Sequence, residues 1–440
     1  MVIKRDRYLE KLIAKKDNGL VKVVTGIRRC GKTYLLKNLY QKWLISQGVP
    51  KTNIIILELD QNANSKYRNP LLLDAYLHEQ IKRTKGRCYI IIDEIQYSVP
   101  VPNPALPESA QTKENAITFY DTVLGLMDQC DLYVTGSNSE MLSSDILTNF
   151  RGRGDEIRVY PLSFAEYYAA YKGDKSRAWT EYLYYGGMPL ILTKDSEREK
   201  GAYLKELFEK IYMDDIVERY DVKNKDDLER VTDCLASTMG SLVNPTNIAN
   251  QFKEENTKRK RDKKAAVSRN TVAEYIGYAK KSFLIDEAKR FDIRGKQYIS
   301  GQQKYYFSDL GLRNARLNFR QFDRPHLIEN AVYNELRIRG YSVDVGRVQI
   351  SIKNKNGNYQ TSYLESDFVI NDLDQRMYIQ VTEGLDDPKK KEQELKSLLH
   401  IRDGFPKIVL VDQDIPTHRS EEGILIMPLK EFLLNEDAMR

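Results

Sequence analysis

The first 160 residues alternate short apolar runs with longer mixed stretches. The runs are Leu20–Val24, Ile54–Leu59, Tyr89–Ile92, Leu132–Val134 and Ile157–Val159. Between them lie stretches long enough for helices, among them Tyr34–Trp43, Leu71–Ile81 and Phe119–Met127. A strand covered on both faces reads as an unbroken Val/Ile/Leu run, because neither side has to meet water. Five such runs separated by helical stretches predict an α/β fold with a parallel, doubly covered sheet over 1–160. Pro100, Pro102, Pro104 and Pro107 fall between Ser98 and Ser109 and predict an exposed loop there.

The pattern then changes. From 161 to 210 it is helical and rich in tyrosine, and Tyr182, Tyr184 and Tyr185 lead into the breaker Gly186-Gly187-Met188-Pro189. The segment 211–315 holds short helices, a basic stretch and strand-like runs. From 316 to 440 a helix over Leu327–Arg339 precedes extended segments around Val343–Val348, Tyr363–Ile370 and Met377–Thr382. A charged helix near Lys389–Leu399 and a strand at Lys407–Val411 follow.

Composition narrows the class. A length of 440 residues suits about three domains. With 30% charged residues and a mean hydropathy of −0.56, and no apolar run near the ~20 residues a spanning helix needs, no membrane protein is expected. The start MVIKRDRYLE lacks the apolar region of a secretory signal. Cys30, Cys88, Cys130 and Cys234 lie too far apart for a disulfide framework or a metal clip. His78, His326, His400 and His418 are equally scattered, so no zinc site is expected and a reduced, cytoplasmic location is.

Residues 26–33, Gly-Ile-Arg-Arg-Cys-Gly-Lys-Thr, satisfy G-x-x-x-x-G-K-[ST], between the buried run Val21–Thr25 and the helix-forming run Tyr34–Tyr40. Glycines at these places let the backbone wrap a phosphate chain with its N–H groups and a helix N-terminus turned toward the negative charge. The expected nucleotide contacts are Gly26, Arg28, Arg29, Cys30, Gly31, Lys32, Thr33 and Tyr34. Lys32 should reach the β/γ phosphates and Thr33 should ligate Mg²⁺. A thiol at Cys30, beside a helix N-terminus and two residues from Lys32, should favour the thiolate. The run Cys88–Ile92 ends in Asp93-Glu94, which suits a Walker B element: Asp93 for the Mg²⁺ shell, Glu94 to polarise the attacking water. Asp93 is followed by Glu-Ile-Gln rather than the Asp-x-x-Gly usual for GTP, so ATP is the expected nucleotide. Asn224-Lys225-Asp226-Asp227 matches a guanine-reading pattern but follows a polar, helical stretch and is discounted. Asn138, or Ser137, at the tip of the fourth run suits a γ-phosphate sensor. Arg151 and Arg153 sit on a loop before the fifth run, and a guanidinium is suited to spreading phosphoryl charge.

Taken together, GIRRCGKT, IIIDEIQ, TGSNSEML, FRGRGDEIRVYPLSFAEY and YYGGMP resemble a prokaryotic family of P-loop ATPases, of the AAA+/STAND-related group, with a C-terminal domain of unknown function. The match extends through DLGLRNARLNFR, HLIENAVYNELRIRGY and ESDFVI, and so covers essentially the whole chain. The resemblance implies that Arg153 is an arginine finger and that Gly187 and Pro189 form a lid turn against the adenine. It also implies four parts: an ATPase core at 1–160, a helical lid at 161–210, a winged-helix segment at 211–315 and a PD-(D/E)xK nuclease-like domain at 316–440.

The C-terminal residues carry their own signals. Between Lys253 and Arg269 eight basic residues face three acidic ones, and a helix opening at Ser268 follows. A basic arm, a helix and then strands fit a winged helix whose second helix enters a major groove, making DNA the expected macromolecular partner. Glu365 and Asp367, two apart on a strand, share a face and suit a vestigial one-ion site, with Glu329 or Glu335 contributing from the helix. Gln380 and Thr382 stand where such nucleases carry a carboxylate and a lysine, which argues against cleavage. The leading expectation is an ATP- and Mg²⁺-dependent switch, oligomeric if Arg153 acts between copies. The alternatives are an ATP-gated nuclease and a nucleotide-holding scaffold.

Overall fold

The computed structural model describes residues 3–136, 150–258, 267–353, 358–372 and 375–439. The chain forms two compact units. One is Met1–Tyr160 with Lys281–Phe283, the other Pro161–Lys280 with Leu284–Arg440.

In the first unit the five apolar runs are the five strands β1 (Val21–Thr25), β2 (Ile54–Glu58), β3 (Cys88–Asp93), β4 (Cys130–Thr135) and β5 (Gly154–Arg158). They form one sheet in the order β2-β3-β4-β1-β5, every pairing parallel. Every residue of β1, β3 and β4 is buried, the burial that an unbroken apolar run requires. One core layer sets Ile90, Ile92, Leu132 and Val134 against Leu73, Leu77 and Val123 of the helices Pro70–Arg83 and Phe119–Gly125. The strand order reverses around β1, and parallel sheets open a ligand crevice at the carboxyl ends of their strands at such a point. The proline-rich stretch is a mostly exposed loop, closed at its base where Val101 and Ile117 exchange backbone hydrogen bonds of 3.0 and 2.8 Å.

The second unit begins with helices, including Phe164–Ala170 and Ala178–Tyr185. The helices Lys225–Ser237, Pro245–Lys258 and Arg269–Lys281 then precede an antiparallel hairpin of β6 (Ile285–Asp292) and β7 (Gln297–Phe307). Beyond the hairpin the order is helix Arg324–Ile338, β8 (Ser342–Lys353), β9 (Tyr359–Asp372), β10 (Gln375–Thr382), helix Pro388–Leu399 and β11 (Lys407–Val411). Two short strands, β12 (His418–Arg419) and β13 (Leu425–Pro428), complete one eight-stranded sheet in the order β12-β13-β11-β10-β9-β8-β6-β7. The β8-β9-β10 meander is antiparallel, whereas β11 lies parallel to β10 and β6 parallel to β8. The hairpin from the segment read as a winged helix therefore shares a sheet with the strands that follow residue 316. Among the described residues no helix is long and apolar enough to cross a membrane.

Candidate nucleotide site

The loop that leaves β1 is bent by residues that few side chains could replace. Gly26 has φ +136°, and a Cβ there would stand 2.0 Å from the Val159 carbonyl oxygen. Arg29 (φ 66°) and Gly31 (φ 104°) are also left-handed; Arg29 is a non-glycine residue held in a costly conformation, as functional loops often require. The chain then enters a helix over residues 32–46. Lys32 is 4% exposed. Its Nζ donates to the carbonyls of Gly26 (2.9 Å) and Ile27 (3.3 Å), so the ammonium lies across the loop it would share with phosphate.

Thr33 Oγ1 donates to Asp93 Oδ2 at 2.7 Å, which joins the start of the helix to the end of β3. The other carboxylate oxygen of Asp93 accepts from the hydroxyl of Thr135, the last residue of β4. That hydroxyl oxygen in turn accepts from the Glu94 backbone N–H at 3.0 Å. Glu94 is itself left-handed, at φ 57°, and its carboxylate accepts from the Gln96 side-chain amide. Burial pushes the Asp93 carboxyl above its usual range, with Glu94 adding to the rise and the Thr135 and Thr33 hydroxyls opposing it.

These groups line a cavity of about 330 Å³. One wall carries Arg28, Arg29, Gly31, Lys32, Thr33 and Tyr34; the other carries Asp93, Glu94 and, from the end of β2, Glu58, Asp60 and Gln61. Parallel pairing sets Glu58 beside Asp93. Cations and loop N–H groups facing carboxylates suit a phosphate chain with a divalent ion between. The oxygen pair of Thr33 and Asp93 fits Mg²⁺, which takes one or two carboxylates and completes its shell from phosphates and water. Among the described residues no group of three or more His, Cys, Asp or Glu is arranged to hold a metal.

Sequence reasoning placed Arg28, Arg29, Gly31, Lys32, Thr33, Tyr34, Asp93 and Glu94, and the structure brings them together around this cavity. It missed Thr135, Glu58, Asp60 and Gln61. A polar residue closing an apolar strand was the available signal for Thr135. Cys30, expected as a nucleotide contact, is not among the residues lining the cavity: its side chain is fully buried under the loop, with its thiol 3.4 Å from the Val159 carbonyl oxygen. Asn138 lies outside the described residues. Arg153 is exposed, and its carbonyl accepts from the N–H of Val21 (2.9 Å), at the entry to β1. The phosphate loop leaves the other end of that strand, about 13 Å away at ~3.3 Å per residue.

Gly187 and Pro189 belong to the second unit. Gly187 N–H donates to Asp309 Oδ2 (2.7 Å), and a Cβ on Gly187 would meet the Leu162 carbonyl oxygen at 2.2 Å. Asp309 caps the helix Leu310–Arg316 through Leu312 N–H (3.0 Å), and burial raises its carboxyl to about 6. Gly311 packs with its would-be Cβ 2.0 Å from the Tyr185 carbonyl oxygen. The glycines read as an adenine-facing turn thus have a packing role: YYGGMP docks onto DLGLRNAR.

Glu365 and Asp367 correct another expectation. Lys304 of β7, 4% exposed, places its ammonium 2.7 Å from Glu365 and 2.8 Å from Glu329, whose oxygen also accepts from Tyr306 OH (2.6 Å). Burial opposes the Lys304 charge, but Glu329, Asp367 and Glu365 outweigh it and raise its pKa. Asp367 accepts from Val381 N–H (2.8 Å), and burial, with Glu329, pushes its carboxyl well above the usual range. The expected ion site is thus met by a lysine of the chain itself. Glu335 pairs with Arg339 (2.8 Å). Gln380 donates to Glu394 (3.1 Å), and Thr382 Oγ1 lies 3.3 Å from the Gly384 carbonyl oxygen.

Comparison with known proteins agrees with this geometry. Residues 18–168 match an AAA domain, and residues 176–323 match a domain of unknown function (DUF8612). An uncharacterized protein of Haemophilus influenzae is 32% identical over 438 residues, covering 98% of this chain and 99% of the relative. One from Methanocaldococcus jannaschii is 27% identical, covering 94% and 88%. Among solved structures, Orc1 of Aeropyrum pernix in complex with DNA is 13% identical with a TM-score of 0.27, covering 72% of this chain and 92% of its own. Cdc6p of Pyrobaculum aerophilum is 10% identical with a TM-score of 0.28, covering 72% and 93%. Both scores lie below 0.5, and the assignment rests on the sequence matches. The chain belongs to the P-loop AAA+ ATPase family that carries a C-terminal domain of unknown function.

Proposed function

We propose that the protein binds ATP with Mg²⁺ and hydrolyses it slowly, as a switch whose nucleotide state controls a macromolecular partner. The observation that carries this is the hydrogen-bonded chain Thr33–Asp93–Thr135–Glu94 at the rim of the phosphate loop. In this reading Lys32 exchanges the carbonyls of Gly26 and Ile27 for phosphate oxygens, and the loop N–H groups hold the rest of the chain. Mg²⁺ supplies charge neutralisation between the phosphates when bound. Glu94 accepts the hydrogen bond of the attacking water and orients it, and its left-handed backbone, fixed by Thr135, aims the carboxylate. Arg153, at the far end of β1, serves a second copy of the chain rather than its own phosphates.

DNA is the partner this reading favours. Three helices followed by the β6–β7 hairpin, with Val243 bridged to Gln303, have the element order of a winged helix, and the basic stretch lies between the last two helices. Nuclease action is not part of the proposal, because Lys304 already neutralises Glu329 and Glu365. The test is turnover by purified wild type, Lys32→Ala and Glu94→Gln, with and without duplex DNA. Lys32→Ala should lose ATP binding, and Glu94→Gln should bind ATP but not turn over. Unchanged ATP affinity in Lys32→Ala would remove the assignment.

A further inference from the structure

Strands β8 and β9 outrun their sheet. They pair with each other from Ser342 to Lys353 and from Tyr359 to Asn371. Yet β8 pairs with β6 only over Val345–Arg347, and β9 pairs with β10 only over Phe368–Asp372. Beyond those registers the two strands form a ribbon whose only ladder, among the described residues, is the one they share. At its far end Ser351, Ile352, Lys353, Tyr359, Gln360 and Thr361 are all exposed, so both faces meet solvent. A lone two-stranded ribbon is marginal in water, and exposed edges invite wrong pairing. Val348 and Ile350 bury one face of its base in the core, with Leu364 packed against them, but among the described residues no buried side chain explains why the tip beyond them projects.

Its chemistry is selective. From Arg347 to Tyr363 the sequence RVQISIKNKNGNYQTSY contains three cations and no Asp or Glu; at the chain's own content of 63 acids in 440, two or three would be expected. The other polar residues are amides and hydroxyls, which donate and accept hydrogen bonds. Alternation puts Arg347, Gln349, Ser351 and Lys353 on one face, in register with Glu365, Tyr363, Thr361 and Tyr359. Arg347 lies 4.2 Å from the Tyr363 ring centroid and is oriented by Asp292; Lys353 lies 5.4 Å from that of Tyr359. The tyrosines are 46% and 73% exposed. The two acids at the base of this face are both occupied, Asp292 by Arg347 and Glu365 by Lys304.

We propose that the two strands of this ribbon, 347–353 and 359–363, form an arm whose solvent-facing side and tip enter the major groove of duplex DNA. Lys353 meets a phosphate, Tyr359 packs against the sugar–phosphate backbone, and Gln349, Ser351 and Thr361 face the base edges. The B-form major groove, about 12 Å wide, admits a two-stranded ribbon, whereas the deep, narrow major groove of A-form RNA does not. The proposal shares DNA as partner with the reading above but uses a different element and needs no nucleotide.

The experiment is fluorescence anisotropy of a labelled 30-base-pair DNA duplex with the full chain, without nucleotide, from 50 to 200 mM salt. Lys353→Glu should weaken binding about tenfold and lower the log–log salt slope by about 1. Tyr359→Ser should weaken binding while leaving the slope unchanged. Lys223→Glu, at an exposed surface pair, should bind as wild type. Duplex RNA should bind at least about tenfold more weakly, and polyglutamate should not compete. The proposal falls if wild type does not bind, if both ribbon variants bind as wild type, or if RNA binds equally. Competition by polyglutamate would move the ribbon to an acidic protein surface and overturn it as well. Loss of binding in Lys253→Glu with no loss in the ribbon variants would keep DNA as partner and refute the arm.

Discussion

Thr135→Val removes one hydroxyl and keeps the side-chain shape, and so isolates what joins the two Walker B carboxylates. The hydroxyl donates to the buried Asp93 and accepts from the Glu94 N–H, so the substitution leaves both groups short of a partner. A hydrogen bond to a charged group contributes about 1.5–3 kcal/mol, and a buried unsatisfied N–H costs about 1–3 kcal/mol. A net loss of about 2 kcal/mol is therefore expected for the nucleotide-free protein. In a unit of this size that lowers Tm by about 4–8 °C. The same change acts on Mg²⁺ binding, which needs Asp93 ionised. Burial already raises the Asp93 pKa, and Thr135 is the largest influence holding it down. Acidification protonates Asp93 and weakens Mg²⁺·ATP binding; without the hydroxyl that loss begins at higher pH. Titration calorimetry of Mg²⁺·ATP binding across pH should show the midpoint moving upward in Thr135→Val and returning in Thr135→Ser. Equal midpoints in wild type and Thr135→Val would refute the argument, whatever the Tm.

Other expectations follow from single contacts. Arg153→Ala should lower turnover by ~10³-fold or more with little change in ATP affinity, and mixing it with Lys32→Ala protein should restore part of the rate if the guanidinium acts between copies; equal loss of rate and affinity would make it a ground-state binder. Gly311→Ala puts a Cβ 2.0 Å from the Tyr185 carbonyl oxygen and should destabilise the second unit by about 1–3 kcal/mol through overpacking, with ATP affinity unchanged; scanning calorimetry reads it as a lower Tm. Lys304→Met leaves Glu329 and Glu365 without their cation and should destabilise the same unit by about 3–5 kcal/mol, read by urea unfolding. An equal penalty in Lys304→Arg, which keeps the charge, would mean that the lysine contributes packing rather than charge.

The first unit was legible because its signals are local. Strands buried on both faces announce themselves as apolar runs, and a phosphate loop is eight consecutive residues between a strand and a helix. What stayed hidden is what the sheet assembles at a distance. Glu58 meets Asp93 through parallel register, and no spacing in the sequence predicts which strand lies beside β3. Thr135 reaches Asp93 across 42 positions for the same reason. Gly187 looked like a ligand turn because a Gly-Gly-Met-Pro breaker resembles one, while the group that requires it, Asp309, lies 122 residues on. Cys30 was misjudged in direction: the loop's backbone faces the cavity, and the side chain between two left-handed residues turns into the core.

The Lys304 cluster raises a question of cost. Burying two carboxyl groups, an ammonium and a phenol beside a third, half-buried carboxylate is expensive, and apolar residues of similar volume often give equal or greater stability. What an apolar patch cannot give is registry. The ammonium touches Glu329 on the helix Arg324–Ile338 and Glu365 on β9, while its own strand reaches the rest of the sheet only through β6. The β6–β8 ladder is three residue pairs long, too short to fix a hairpin against slippage by one register. A slip of one residue would turn the Lys304 ammonium to the other face and strand all three charges together. The ion cluster therefore sets the position of the β6–β7 hairpin, and through Glu365, two residues after Tyr363, it also fixes the base of the projecting ribbon. Hairpin and ribbon are held to one frame by one lysine, which is why its removal should disturb both when either is probed by hydrogen exchange.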